Sequence, residues 1–299
     1  MRADRCERTD AISCAASHSE ANPRGHRNQP PQSVTSSPHI FQPLIASMIA
    51  HKPPSQAAQA LILAAGRGER MRPLTDATPK PLLEVRGQPL MQWHLAALAR
   101  DGVSRVVVNT AWLGEQIPAC FGDRWQGLDI AYSMEGRDFG CALETAGGIA
   151  RALPRLGELF WVLAGDVFTP DFAFDASAVA GFAAGPQLAH LWLVPNPSHN
   201  PRGDFGLSDD GLALNLPPGH AGPRYTYSTI GLYRRALFEA PHCSLPAGNP
   251  SGIKAALAPL LRSAMDQGLV SAQLYTGAWT DVGTPERLAQ LNSNFSQNT

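Results

Sequence analysis

The sequence predicts an α/β protein built on a doubly wound, mostly parallel sheet, with a small antiparallel subregion in its second half. Three observations carry this expectation. Apolar runs of β-type residues recur at 60–65, 103–109, 128–133, 159–165 and 187–194, separated by stretches with helical spacing. The runs are nearly continuous in hydrophobicity, as strands covered on both faces must be. Beyond residue 200 the pattern changes to short runs broken by Gly and Asp turns, which favours antiparallel pairing.

Residues 1–57 read as a disordered leader, rich in Ser, Pro, Asn, Gln and charge, and residues 58–299 as the folded domain. An apolar stretch at 40–50 is interrupted by Gln42 and Pro43 and lies behind a leader too long for a secretory signal, so export is not expected. Met48 stands close enough to the first strand to be an alternative start. Pro89 to Asp101 predicts a helix, with Leu90, Met91, Leu95 and Leu98 along one side and Gly102 at its end. Leu143 to Leu153 predicts another. Residues 204–215 read as a hairpin about Asp209–Gly211, 225–234 as an edge-to-core strand, and Ile253 to Gln267 as a helix with Leu257, Leu260 and Leu261 inward.

Composition excludes several classes of function. A formal charge of −1 offers no basic face for nucleic acid or for an anionic membrane, and no run reaches the roughly eighteen apolar residues that a membrane span requires. Five scattered cysteines without a C-x-x-C pair favour reduced thiols and a cytoplasmic location. The sequence assigns no oligomeric state.

The chemistry concentrates at 60–82, ALILAAGRGERMRPLTDATPKPL. Gly66 and Gly68 free the turn after the first strand so that backbone N–H groups can converge on an anion, and Arg67, Arg70 and Arg72 add charge to the same loop. Lys80 lies between two prolines that deny it a helix and present its amine from a stiffened loop. Lysine occurs only at 52, 80 and 254 among 24 basic residues, so its placement there is informative. Neither G-x-x-x-x-G-K-[ST] nor G-x-G-x-x-G fits, the latter because Met71 stands where its third glycine belongs.

L-A-A-G-x-G-x-R-M-R-P-L-T followed by P-K-P-L resembles the signature of the sugar-1-phosphate nucleotidyltransferases. SMEG, LETAGGI, GDVFT, NPRGDFGL, YSTIGLYR and WTDVGTPERL follow in the order such a protein would show. The resemblance covers about residues 58–295 and implies a Rossmann-like nucleotidyltransferase fold acting on two small molecules, a nucleoside triphosphate and a sugar 1-phosphate. UTP is the expected donor. Guanylyl or thymidylyl transfer to mannose or glucose 1-phosphate stays open, because loop and metal residues would look the same, and a non-catalytic nucleotide-sugar sensor is the alternative of another class.

The resemblance also implies roles. Leu63, Ala64, Ala65, Gly66 and Gly68 would hold the nucleotide, with Arg70 on the leaving pyrophosphate and Lys80 on the reacting phosphoryl. Mg²⁺ would sit on Asp166, at the end of LFWVLAG, and on Asp281, with Asp171 as rival. Thr284 and Pro285 already supply the cap and first position of the following helix, so Asp281 has no capping duty. Glu135, Glu144, Thr145 and Gly147 would meet the base or ribose, with Ala146, Gly147 and Gly148 letting a flat ring approach the backbone. A plain helix start at Glu144 and Thr145 is the structural alternative. Asn196, Asp204 and Tyr227, beside His199, Asn200 and Tyr225, offer the amides, carboxylate and rings that a sugar needs. Ala164 departs from the pattern, since close relatives often place Asn there.

Overall fold

The run QALILA forms the strand Gln59–Ala64, and its side chains alternate between two different cores. Leu61 joins Val107, Ile149, Phe160 and Val162 on one face, while Ile62 joins Leu95, Val106, Val108 and Trp161 on the other. This two-sided burial is why the strands read as unbroken apolar segments rather than alternating ones. A computed structural model describes residues 59–296, all within the unit Lys52–Thr299. The leader at 1–57, Cys6, Cys14 and Met48 lie outside the described residues.

An eight-stranded mixed sheet forms the centre. Gln59–Ala64 is flanked on both sides by parallel neighbours, Arg105–Thr110 and Leu159–Ala164. From Arg105–Thr110 the chain steps outward to Leu128–Met134, also parallel, and then returns across the first strand to build Leu159–Ala164 on its other side. That reversal opens a crevice at the carboxyl ends of the strands. Thr226–Arg234 runs antiparallel to both Leu159–Ala164 and Ala189–Val194, and Val270–Leu274 closes the edge parallel to Ala189–Val194.

Helices form as the spacing predicts at Leu90–Arg100, followed by Gly102 at φ 79°, and at Glu144–Ala152. The hairpin is present as Gly206–Leu207 paired with Ala213–Leu214, turning through Gly211 at φ 78°. Three expectations are corrected. Thr226–Arg234 is an interior strand, because Ala189–Val194 and Leu159–Ala164 cover both of its edges. The helix expected from Ile253 starts at Leu257, because Ala255 accepts from Ala146 and Gly147 N–H and donates to Leu143 O, leaving its backbone unavailable for helix. Finally, Lys80–Leu82 is a single 3-10 turn and not open loop, closed by Leu82 and Leu83 N–H onto Pro79 and Lys80 carbonyls.

Candidate active site

Leu63 stands beside Ala164 at the end of the two central parallel strands, and both residues line a cavity of about 590 Å³ together with Ala64. The next residues, Ala65 to Pro79, leave the sheet and fold into two short 3-10 turns, Glu69–Met71 and Leu74–Asp76. Gly68, at φ 68°, packs against Thr75, whose hydroxyl donates to its carbonyl at 2.8 Å. Arg67 donates to Thr75 O and to Asp76, and its guanidinium lies 3.6 Å from the centre of the Trp112 ring. Arg72 donates to Asp76 as well, at 2.9 Å. The Arg67 hydrogen bond, supported by Arg72, holds the Asp76 carboxyl below its ordinary range.

Two of the three loop arginines therefore brace the loop itself. Arg70 makes no such bond and faces a smaller adjoining hollow with Gly66, Gly68, Lys80 and Asp166. Lys80, whose side chain is 10% exposed, donates to Asp166 Oδ2 at 2.5 Å, and this pair stands where the two hollows meet. Asp166 is 41% exposed, so a ligand can compete for its carboxylate.

Asp281 lies beside Asp166 by strand pairing. Thr280–Asp281 runs antiparallel to Val167–Phe168, and Val282 N–H donates to Asp166 O at 2.8 Å. The Asp281 Oδ1 atom is shared by Arg287 and His199, whereas Oδ2 makes neither of those bonds. Thr284 Oγ1 accepts from Arg287 N–H at the start of the helix Pro285–Ser296, as a cap should. Asp171 is exposed and lies outside both hollows. Among the described residues no group of three or more His, Cys, Asp or Glu is arranged to hold a metal ion by itself. Asp166 opens on both hollows and its carboxylate suits Mg²⁺, which keeps most of its coordination for water and phosphate, whereas Asp281, next to it by strand pairing, lines neither hollow.

Glu144 and Thr145 also line the larger cavity. Neither side chain caps the Glu144–Ala152 helix, and Glu144 is held at φ 59°, a left-handed conformation unfavourable for a side chain of this type. Thr229, at φ 66° where the Thr226–Arg234 strand bulges, is a second strained residue on the cavity wall. The expected open approach at the glycines is corrected. A Cβ on Gly147 would meet Ile253 O at 2.5 Å, and one on Gly148 would meet Asn109 Nδ2 and Glu135 Oε1, each at 2.7 Å. These glycines admit protein, and Gly147 does not line the cavity. Glu135 does not line it either: it is fully buried, and burial pushes its carboxyl up while the Leu143 N–H and Asn109 amide hold it back.

Of the residues expected to meet a sugar, Tyr227 lines the cavity, and its hydroxyl pairs with that of Tyr233 at 2.7 Å. Burial drives both phenols above their ordinary range. Asp204 stands behind Tyr227 and accepts its N–H at 2.8 Å, while Asn196 accepts from Thr226 Oγ1 and donates to Arg224 O. Asn196 and Asp204 line a separate polar hollow of about 1130 Å³, so the fold gathers Tyr227 into the main cavity and not these two. Ala65 lines neither of the first two hollows. Sequence reasoning missed Asn109, for which a polar residue closing the run VVVN was the only signal, and Arg287, six residues beyond Asp281.

A family model described as nucleotidyl transferase matches residues 59–209. N-acetylmuramate alpha-1-phosphate uridylyltransferase of Neisseria meningitidis serogroup B is 49% identical over 238 residues, spanning 79% of this chain and 97% of that protein. The enzyme of the same name from Caulobacter vibrioides is 32% identical over 240 residues, spanning 76% of this chain and 92% of its own. Among solved structures, a putative glucose-1-phosphate thymidylyltransferase from Bacillus anthracis superposes with a TM-score of 0.65 at 20% identity, covering 80% of this chain and 95% of that one.

Proposed function

This chain belongs to the nucleotidyl transferase family, and on that premise we propose that it transfers UMP from UTP to N-acetylmuramate α-1-phosphate, releasing pyrophosphate and a UDP-sugar. The observation that carries the reading is the Lys80–Asp166 pair at the meeting point of two hollows, one large enough for a nucleotide and the other faced by Arg70. The relatives' names supply the choice of base and sugar.

A phosphate oxygen of the sugar 1-phosphate attacks the α-phosphorus of UTP in line with the departing oxygen. The bond between α- and β-phosphate breaks, and no covalent enzyme intermediate is needed. The Lys80 ammonium turns from Asp166 to the reacting phosphoryl, and Arg70 with the Gly66–Gly68 backbone holds the leaving pyrophosphate. Leu63, Ala64, Glu144 and Thr145 enclose the nucleoside, and Tyr227 forms a wall of the sugar end. Asp166 and Asp281 would hold Mg²⁺, which supplies neutralisation of phosphate charge when bound.

We place the activity in the cytoplasm, in peptidoglycan recycling. Among the described residues, Cys120 and Cys243 are free thiols, and no helix is long and apolar enough to cross a membrane. Pyrophosphate release measured across four nucleoside triphosphates and several sugar 1-phosphates tests the proposal. UTP with N-acetylmuramate α-1-phosphate is expected to give the highest kcat/KM. Preference for GTP with mannose 1-phosphate, or dTTP with glucose 1-phosphate, replaces the substrates, and release from no pair replaces the enzyme with a sensor.

A further inference from the structure

Glu135 lies out of reach of the cavity, yet its carboxylate joins two of the cavity's walls. Its Oε1 accepts from Asn109 Nδ2 at 2.9 Å, and its Oε2 accepts from Leu143 N–H at 2.8 Å. Asn109 is itself buried and turns its Oδ1 to the Ala64 N–H at 2.7 Å. One end of this chain of bonds is thus Ala64, where the first strand reaches the cavity. The other is Leu143, immediately before the strained, cavity-lining Glu144.

The donor and acceptor pattern admits one arrangement. A backbone N–H only donates, so Ala64 fixes the Asn109 amide with its oxygen inward and its NH₂ toward residue 135. Two donors then converge on that side chain, and only a carboxylate accepts both. The pair is also tightly confined, because Gly148 leaves no space for a Cβ between itself and either partner.

We propose that Glu135, acting through Asn109, is a positioning residue that sets the spacing between the Ala64 wall and the Leu143–Glu144 wall, and thereby controls nucleoside triphosphate affinity without contacting the ligand. The proposal rests on the reading of the cavity as a nucleotide site. Glu135→Gln brings an NH₂ group against either Leu143 N–H or the Asn109 NH₂, and flipping Asn109 only moves the conflict to Ala64. Asn109→Asp faces one carboxylate with another. The double variant Asn109→Asp with Glu135→Gln restores every bond: the carboxylate introduced at position 109 accepts from Ala64 N–H and from the new amide at position 135, whose oxygen accepts from Leu143 N–H.

The test is calorimetric binding of UTP, CTP, GTP and dTTP, with melting temperature and the split between KM and kcat measured on the same proteins. Each single variant should weaken the best-bound nucleotide about tenfold or more, the effect of stranding one buried donor. The double variant should return to within about threefold of the original protein. Single variants that bind normally, a double variant in which the losses add, or a rescue of melting temperature without rescue of affinity would each overturn the proposal. An original protein that binds nucleotide but releases no pyrophosphate with any sugar 1-phosphate overturns the transferase reading and leaves this one standing. Turnover in the original protein without rescue by the exchange does the reverse, and no nucleotide binding at all overturns both.

Discussion

Lys80 and Asp166 are 86 positions apart in sequence and form one ion pair where the two hollows meet. Lys80→Ala is expected to lower kcat about 100- to 1,000-fold, as the loss of one preorganised charge at a phosphoryl transition state does. Its melting temperature should change little, because Asp166 is open to water once the amine is gone. A near-normal kcat would remove Lys80 from the chemistry. Asp166→Asn and Asp281→Asn should each raise the Mg²⁺ requirement and depress kcat, and the double variant should be little worse than the poorer single one, since groups serving one ion are not independent. Additive losses, or an unaltered Mg²⁺ dependence in Asp281→Asn, would assign Asp281 to its bonds with Arg287 and His199 alone. Lys80 was legible because an isolated lysine between prolines has few other uses. The division of labour among Arg67, Arg70 and Arg72 was not, because Trp112, which with Asp76 and the Thr75 carbonyl holds Arg67, lies far along the chain.

The helix Glu144–Ala152 shows how an element can be legible in its boundaries and misread in its purpose. The need for glycine at 147 and 148 was visible in the sequence, but what approaches them was not. The segment at 253–255 and the Asn109–Glu135 pair come from distant parts of the chain, and nothing local announces them. On an exposed helix Gly→Ala stabilises by about 1 kcal/mol. At 148 the added methyl meets two polar atoms at 2.7 Å, so Gly148→Ala should lower the melting temperature and weaken nucleotide binding together. A rise in melting temperature, the ordinary helical outcome, would mean that the buried pair has room to move. The same kind of distant claim explains why the helix expected at 253 starts four residues later.

At the scale of the whole molecule, two-faced burial was legible because continuous apolar runs can be satisfied only by covering both sides of a sheet. Strand order was not, since the return of Leu159–Ala164 to the far side of the first strand is a matter of long-range packing that no local residue encodes. The same packing buries His94, on the helix Leu90–Arg100, against the Val167 backbone. It is 2% exposed, and its Nε2 has no hydrogen-bond partner among the described residues. Burial dominates its titration and lowers the imidazole from 6.5 to about 4, against opposing contributions from a Val167 backbone bond and the Asp166 charge. The native state therefore refuses a proton that the unfolded chain accepts. Above about pH 6.5 both states leave His94 neutral and nothing is lost. Between 6.5 and 4 the unfolded state binds more protons, so stability falls as pH falls, by about 2 kcal/mol at pH 5 from this group. Denaturant unfolding at pH 7 and pH 5, compared between the original protein and His94→Gln, isolates that contribution because the other acid-titrating groups are common to both. The original protein should lose the additional 2 kcal/mol or so, and equal losses in the two proteins would show that His94 takes up a proton in the folded state as readily as in the unfolded one.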